Sequence, residues 1–385
     1  MKITILKDKL LEAIDIISRI PGKNITLPIL TNILIGSEKN FLTLSATDLE
    51  IGVKCWFLAK IETQGAVTVP STMFSNVINF LPETSITLIG KDQDLIIEAK
   101  NFKTEIKGLP SNDFPIIPDT KREVFINVPA FSFCQALSQV QEVAVSSSSR
   151  PEISGIYILL ADNLIKMVAT DSFRLAEKTL FLKKSLGLKE NYSFILPQKT
   201  AKEIINIFGE KNEKKDKDSE LKIFLDPNQI LIESLMSETS HPNVHLISRL
   251  LEGEYPNYQE IIPQKYDTQI ILDRNEFFGQ VKLSSLFCGK ISEIKLKVDP
   301  KKSTIEISSQ NPEIGQHISS LACQVKGKPK EISFNYRFLL DGLLKIKSSE
   351  VIFELTGRNG DAGPGVLKPM GDQSYLYVLM PLQAS

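Results

Sequence analysis

The 385 residues suggest two or three domains at roughly 100–200 residues each, and 42% hydrophobic with 24% charged residues is the balance of an ordinary soluble globular protein. With 45 Lys and Arg against 46 Asp and Glu, the formal net charge of −1 excludes a dominant basic patch of the kind that gives tight, non-specific nucleic-acid binding, while local asymmetry stays open. No apolar run approaches the ~18–20 residues that span a bilayer, and the alternating start Met1-Lys2-Ile3-Thr4-Ile5 has no signal-peptide pattern, so a cytoplasmic location away from membranes is expected.

The first element is a strand, Met1–Leu6, followed by a helix over Lys7–Ile20 with Leu10, Leu11, Ile14 and Ile17 on one face. The strand Leu42-Thr43-Leu44-Ser45 then runs into Ala46-Thr47-Asp48-Leu49-Glu50-Ile51. Val67-Thr68-Val69-Pro70 leads into a second helix over Ser71–Phe80, with Pro70 where proline's fixed φ favours a helix start. The proline-rich stretch Leu109–Pro118 reads as a linker.

The same order then recurs. A strand over Val124–Val128 precedes a helix over Ala130–Val143, with Phe133, Ala136, Leu137 and Val140 aligned. Ile165-Lys166-Met167-Val168 leads into Ala169-Thr170-Asp171-Ser172-Phe173-Arg174-Leu175-Ala176, a fuller copy of the Ala46–Ile51 stretch. Ser193–Pro197 leads into a helix over Gln198–Phe208, and the charged run Glu210–Asp218 reads as a solvated loop. Leu251–Pro263 repeats the proline-rich exit. A third round follows, with a strand over Gln269–Leu272 and a helix over Asp273–Phe287 on which Phe277, Val281 and Leu286 roughly align. Thr304–Ser308 then leads into a faded copy, Ser309-Gln310-Asn311-Pro312-Glu313-Ile314, and Ile332-Ser333-Phe334 into a helix over Asn335–Ile346.

A repeat of this length is a whole domain. Boundaries are expected near residues 121 and 266, giving domains over 1–120, 121–266 and 267–385. The fold class is α+β, with two helices in each domain packed on one side of an antiparallel sheet. Three such domains on a curve would gather their helices on one wall. The exposed helix faces there carry Lys9, Arg19, Lys199, Lys202, Lys282, Arg337 and Lys345 against Glu12, Asp15, Glu203 and Asp341.

Enzymatic signals are weak. Cys55, Cys134, Cys288 and Cys323 lack C-x-x-C spacing and read as buried reduced thiols, not a zinc site. His241-Pro242-Asn243-Val244-His245 has two-histidine spacing, but Pro242 spoils a helix and the flanking glutamate is missing. Ser146–Ser149 before Arg150 has no accompanying base or elbow motif, and Gly363-Pro364-Gly365 lacks the lysine and hydroxyl of a phosphate loop. No cofactor and no metal are expected. The residues alone leave open a triplicated enzyme or ligand-binding protein with a site between domains.

The ordered set of motifs resembles the bacterial sliding clamp family, the beta subunit of DNA polymerase III. The motifs are Thr26-Leu27-Pro28-Ile29-Leu30, Ala46–Glu50, Val69-Pro70, Asp113-Phe114-Pro115, Ala169–Ala176, Glu254-Tyr255-Pro256, Ser333-Phe334-Asn335-Tyr336 and Met380-Pro381-Leu382. The resemblance implies a non-catalytic processivity factor, a head-to-tail homodimeric ring of six domains that encircles double-stranded DNA. Its implied partners are the replicative polymerase's catalytic subunit, an ATP-driven clamp loader, and other polymerases and repair proteins that carry short clamp-binding peptides.

The resemblance also implies sites. A pocket between the second and third domains, receiving an extended peptide with apolar anchors, maps to Thr170, Ser172, Phe173, Arg174, Leu175, Pro256, Ile261, Val378 and Met380. Arg150, Ile153 and Asn335 map to its flanking groove, Arg174 is expected to orient the ligand by hydrogen bonding, and Phe173 stands where the family commonly has histidine. DNA-facing positions map to Lys23, Asn24, Thr72, Ser147, Pro151, Glu152 and Lys199; the family often has arginine at the places of Asn24 and Thr72, so Lys199 is the stronger assignment. The ring seam maps to Leu286 and Phe287 against Thr104 and Ile106 on an edge strand, although helical spacing alone gives Leu286 a core role.

Overall fold

The computed structural model describes residues 1–22, 27–82, 84–145, 150–209, 219–236, 239, 241–357 and 362–382. The first repeat contains β1 (Lys2–Leu6), α1 (Lys7–Ile17), β2 (Asn32–Glu38), β3 (Phe41–Thr47), β4 (Ile51–Leu58), β5 (Lys60–Thr63), β6 (Ala66–Pro70), α2 (Ser71–Phe80), β7 (Ser85–Lys91), β8 (Asp94–Ala99) and β9 (Phe102–Ile106). The second contains β10 (Val124–Pro129), α3 (Ala130–Val140), β11 (Gly155–Ala161), β12 (Leu164–Thr170), β13 (Arg174–Phe181), β14 (Tyr192–Pro197), α4 (Gln198–Phe208), β15 (Glu220–Asp226), β16 (Gln229–Leu235) and β17 (Pro242–Arg249). The third contains β18 (Thr268–Asp273), α5 (Arg274–Ser284), β19 (Glu293–Asp299), β20 (Thr304–Asn311), β21 (Gly315–Ala322), β22 (Gln324–Gly327), β23 (Lys330–Asn335), α6 (Tyr336–Lys345), β24 (Glu350–Leu355), β25 (Gly365–Pro369) and β26 (Tyr375–Leu379). Each repeat opens strand–helix and carries a second strand–helix pair later, as the sequence predicts.

Two helices start and stop where the sequence puts them. Pro70 and Pro197 close β6 and β14, and α2 and α4 begin at the next residue. The others stop early. The helix α1 ends at Ile17; Ser18 N–H bonds to Ile14 C=O at 2.9 Å, Ile20 N–H to Ile17 C=O at 3.2 Å, and Pro21 bars helical φ/ψ at the residue before it. The helix α5 passes into a 3-10 turn at Ser285–Phe287, leaving Leu286 65% exposed. That corrects its place on the apolar stripe: nine residues separate it from Phe277, about two and a half turns at 3.6 residues per turn, which is the opposite face.

The chain divides into two compact units. The first covers residues 1–135, 186–188 and 199–251, and holds a five-stranded sheet, β5-β1-β7-β8-β9, and an eight-stranded sheet, β10-β15-β16-β17-β4-β3-β2-β6. In the larger sheet the second repeat pairs with the first, β17 on β4, with Val244 opposite Cys55 and Ser248 opposite Ile51. The second unit covers residues 136–185, 189–198 and 252–385, with a nine-stranded sheet, β14-β11-β12-β13-β26-β25-β24-β18-β22, and a four-stranded sheet, β21-β20-β19-β23. Here β13 pairs with β26, setting Arg174 opposite Leu379 and Leu175 opposite Val378. Every strand pair among the described residues is antiparallel.

The proline-rich exits cover sheet faces within their own units. Ile117 packs on Phe224, Leu231 and Ile247, and a Cβ on Gly52 would lie 2.8 Å from its Cγ2. Tyr255, Tyr258 and Ile262 close over Val168, Leu175, Val366 and Val378 in the same way. Buried thiols account for Cys55 and Cys134, each pushed up to about 12 by burial. Cys288 and Cys323 are only half-buried, which corrects the expectation for them. Among the described residues no helix is long and apolar enough to cross a membrane. The charged run Glu210–Asp218 and the serines Ser146–Ser149 lie outside the described residues.

Candidate functional site

The turn between β12 and β13 organises the second unit's surface. Asp171 Oδ1 accepts the N–H groups of Phe173 and Arg174, each at 2.9 Å. Thr170 Oγ1 donates to Arg174 C=O at 2.8 Å and accepts from Ser172 N–H at 3.2 Å. These bonds hold Ser172 at φ +76°, a left-handed conformation that serine rarely adopts.

The first repeat builds the same turn. Asp48 Oδ1 accepts from Glu50 and Ile51 N–H at 3.0 and 2.7 Å, Thr47 Oγ1 donates to Ile51 C=O at 2.9 Å, and Leu49 has φ +77°. In the third copy Pro312 occupies the equivalent place and cannot take positive φ. Asn311 Oδ1 still accepts from Glu313 N–H at 3.0 Å, but Gln310 replaces the threonine and the turn closes differently, with Ile314 N–H bonded to Asn311 C=O at 3.2 Å.

The side chain of Arg174 is 9% exposed and committed within the protein. Its Nε donates to Asp171 Oδ2 at 2.9 Å, Nη1 to the Asp341 carboxylate and to Tyr377 Oη at 3.4 Å, and Nη2 to Glu142 C=O at 3.4 Å. The guanidinium lies over the Phe338 ring at 4.6 Å. Tyr377 in turn donates to Phe338 C=O at 2.9 Å, and burial pushes its phenol above the usual range. Arg174 therefore ties β13 to α6 and β26, where the sequence reading expects a ligand-orienting group.

Leu175 and Val378, each 1% exposed, belong to a buried cluster with Val168, Val366 and Tyr258. They form the floor of this surface, not its accessible walls. The accessible apolar atoms belong to Phe173, 62% exposed, Ile261, 44%, and Met380, 40%, with Pro256 also exposed. Met380 N–H donates to Phe173 C=O at 2.8 Å, which extends the β13–β26 pairing past the end of the strand. Arg150 is exposed and donates from Nη1 to Ser172 Oγ at 3.3 Å; Ile153, three residues on, is buried at 8%. Asn335 caps α6, accepting Arg337 N–H at 3.0 Å, and near it Ser333 C=O receives the N–H of Leu382 at 2.9 Å. The turn, β26 and the Arg150 segment thus come together, and Pro256 and Ile261 flank the Tyr258 that roofs the floor.

The other assignments are more dispersed. Lys23, Asn24 and Ser147 lie outside the described residues. Thr72 is exposed in the first turn of α2, and Pro151 and Glu152 occupy a 3-10 turn. Lys199 opens α4 half-exposed, with its ammonium paired to Asp48. Thr104 is half-exposed on β9, an open edge of the five-stranded sheet, whereas Ile106 is 5% exposed and points inward, so it offers no free side chain to a seam. Phe287 stacks on His317 with centroids 5.7 Å apart, and His317 lies on β21, an open edge of the four-stranded sheet.

Sequence reasoning missed Phe338 and Tyr258, and it put Asp341 among the helix-face charges where the structure pairs it with Arg174. The first is hidden by its helical stripe. Tyr258 had a usable signal, because it stands two residues after Tyr255-Pro256 as the apolar Ile117 stands two residues after Phe114-Pro115. The histidines of the two-histidine spacing go elsewhere: His241 stacks on Phe41 at 4.1 Å, and His245 Nε2 bonds the Glu233 carboxylate at 2.6 Å. Among the described residues no cluster of three His, Cys, Asp or Glu could hold a metal.

Residues 1–118 match the family described as DNA polymerase III beta subunit, N-terminal domain; residues 127–257 match its central domain and 259–383 its C-terminal domain. A curated relative, the beta sliding clamp of Staphylococcus aureus, is 28% identical over 393 aligned residues, covering 100% of this chain and 99% of the relative. Among solved structures, the DNA polymerase sliding clamp from Bacillus subtilis superposes with a TM-score of 0.90 at 25% identity, covering 100% of both chains. A sliding clamp from Bartonella birtlesii bound to griselimycin gives 0.88 at 27%, again over 100% of both.

Proposed function

Because this chain belongs to the DNA polymerase III beta subunit family, the sliding clamps, we propose that two copies close head to tail into a six-domain ring around duplex DNA. Its function is that of a processivity factor, and the family is non-catalytic. The observation that supports the ring is that, of the sheet-edge strands, β9 in the first repeat carries Thr104 and β21 in the third has Phe287 stacked on its His317. An open edge invites pairing with another chain, and an edge that meets a different edge on the second copy gives a head-to-tail contact that can close. Leu286 and Phe287 beside β21, and Thr104 on β9, supply the side chains of that seam. The domains run over 1–120, 121–266 and 267–385.

Topology holds a ring on DNA, so the lining needs little phosphate affinity. Each firm phosphate contact adds salt-dependent binding and friction. A net charge of −1 and a Lys199 already paired with Asp48 suit sliding. Thr72, Pro151, Glu152 and Lys199, with Lys23, Asn24 and Ser147, are the proposed DNA-facing positions.

The partner site is the surface of Thr170, Ser172, Phe173, Pro256, Ile261 and Met380 over the Leu175–Val378 floor, with Arg150, Ile153 and Asn335 at its side and Arg174 beneath as its brace. It would take short extended peptides of the polymerase's catalytic subunit, the clamp loader, and other polymerases and repair proteins. Catalysis, cofactor and metal have no part, and the cytoplasm is the proposed location.

Retention on DNA tests this. A dimer near twice 43.1 kDa, once loaded, should stay on closed circles and escape when the circle is cut. Equal retention on circular and linear DNA overturns the reading.

A further inference from the structure

We propose that β10 is a docking surface in its own right: an open sheet edge that takes an extended segment of a partner protein as an added strand, acidic on the face that Phe125 and Lys222 share. The repeats differ at this edge. In the first, β5 pairs with β1 on its far side, Thr63 opposite Lys2 and Lys60 opposite Thr4. In the third, β22 covers β18 in the same way, Gly327 opposite Thr268 and Gln324 opposite Ile271. The corresponding connection in the second repeat, residues 182–191 between β13 and β14, forms no strand. That leaves β10 at the end of the eight-stranded sheet, with β15 as its one strand neighbour among the described residues.

The register defines the open side. Ala130 N–H bonds Ser219 C=O at 2.9 Å, one step past the Pro129–Glu220 pair. Alternate residues of an antiparallel ladder turn their main-chain groups to the same neighbour, so Ile126 and Val128 bond β15 while Phe125 and Asn127 face outward. Pro129 is next in the outward series and has no N–H to leave unpaired, which is the place an edge strand tolerates proline. Phe125 and Asn127 each offer an N–H and a C=O to a further strand. Beside them, Val124 and Phe125 stand uncovered at 47% and 45% exposure.

Charge selects the occupant. Lys222, opposite Asn127 on β15, lays its ammonium over Phe125 at 4.1 Å and over Phe224 at 4.9 Å. It makes no ion pair among the described residues, and the nearby Glu233 carboxylate is held by His245 and Arg122. Glu123, exposed two residues before Phe125, repels an acid at that end. Opposite charges on neighbouring strands attract and like charges repel, so the added strand carries its carboxylate beside Asn127. Its alternate side chains are apolar and cover Val124. A second copy of β10 does not fit this description, because Val124–Pro129 contains no acid.

The test uses the full-length protein and two fluorescein-labelled octapeptides that alternate valine with threonine, one with glutamate and the other with lysine in place of a central threonine. Fluorescence anisotropy should show saturable binding of the glutamate peptide, about fivefold tighter than that of the lysine peptide. Bound peptide should slow hydrogen exchange at the Phe125 and Asn127 amides and leave Ile126 and Val128 as protected as before. Asn127→Pro removes an outward N–H while keeping the bonds to β15, so it should abolish binding; Asn127→Thr should keep it. Lys222→Glu should turn the preference to the lysine peptide. No saturable binding of the glutamate peptide, or binding that Asn127→Pro leaves intact, overturns the inference. Should Asn127→Pro fail to fold, Lys222→Glu still decides, because a preference it leaves unchanged overturns the inference as well. Self-association that grows with concentration and vanishes in Asn127→Pro also overturns it, since the edge then serves a second copy.

Discussion

Asp48 and Asp171 do the same two jobs in successive repeats. One carboxylate oxygen caps a tight turn through two backbone N–H groups, and the other engages a base, Lys199 in one case and Arg174 in the other. Losing such a cap costs about 1–2 kcal/mol, so Asp171→Ala should lower the urea midpoint by that equivalent. Ser172→Gly should act the opposite way, because a left-handed non-glycine residue carries roughly 1–2 kcal/mol of strain; part of that gain is cancelled by the looser unfolded chain. A second buried acid makes a pH prediction. Burial works to raise the Glu233 carboxyl, but the His245 hydrogen bond and the Arg122 and Lys222 charges outweigh it and hold it below its usual 4.5. Its stabilisation is therefore present above that value and is lost as pH falls through the depressed one. Denaturation curves taken from about pH 7 down to about pH 3 should show a smaller acid loss for Glu233→Gln than for the parent.

At the scale of elements, the edge strands separate two kinds of residue that the sequence groups together. Leu286→Asp alters an exposed side chain, so it should shift the dimer to folded monomers in sedimentation with little change in unfolding midpoint. Ile106→Asp buries a charge on the inner face of β9 and should instead cost about 3 kcal/mol or more of stability. Sequence could not divide these two, because helical spacing carried past the end of α5 gave Leu286 a core role, and alternation on an edge strand tells which residues share a face but not which face is covered. It did well where local chemistry decides: prolines fixed the starts of α2 and α4 to the residue, and the Thr-Asp pair marked both turns. It did worse at helix ends, where 3-10 bonds trim α1 and α5. The candidate site was legible in membership more than in role. Phe173 and Met380 are exposed as a binding surface requires, but Leu175 and Val378 proved to be floor and Arg174 a brace, since both facts depend on a linker and a helix that fold back from far along the chain.

For the whole molecule, the helix α2 bears no charged residue at all, which limits how much phosphate attraction the first repeat can contribute there. Clamp retention on closed circles should accordingly change less than about tenfold between roughly 50 and 200 mM salt, whereas a protein with six to ten phosphate contacts loses about 10³–10⁵ in affinity over that range. The zipping of β13 to β26 has a further consequence during synthesis. Leu175 leaves the ribosome about 200 residues before Val378, an interval of about 10–40 s at 5–20 residues per second. Until then β13 has no second neighbour, and its apolar face, Leu175 with Val168 beside it, stands uncovered. The first unit meets no such wait, because all its strands are complete by residue 251. Nascent chains stalled beyond that point should carry a protease-resistant first unit and a still cleavable second one, and it is in that window that holding chaperones have something to grip.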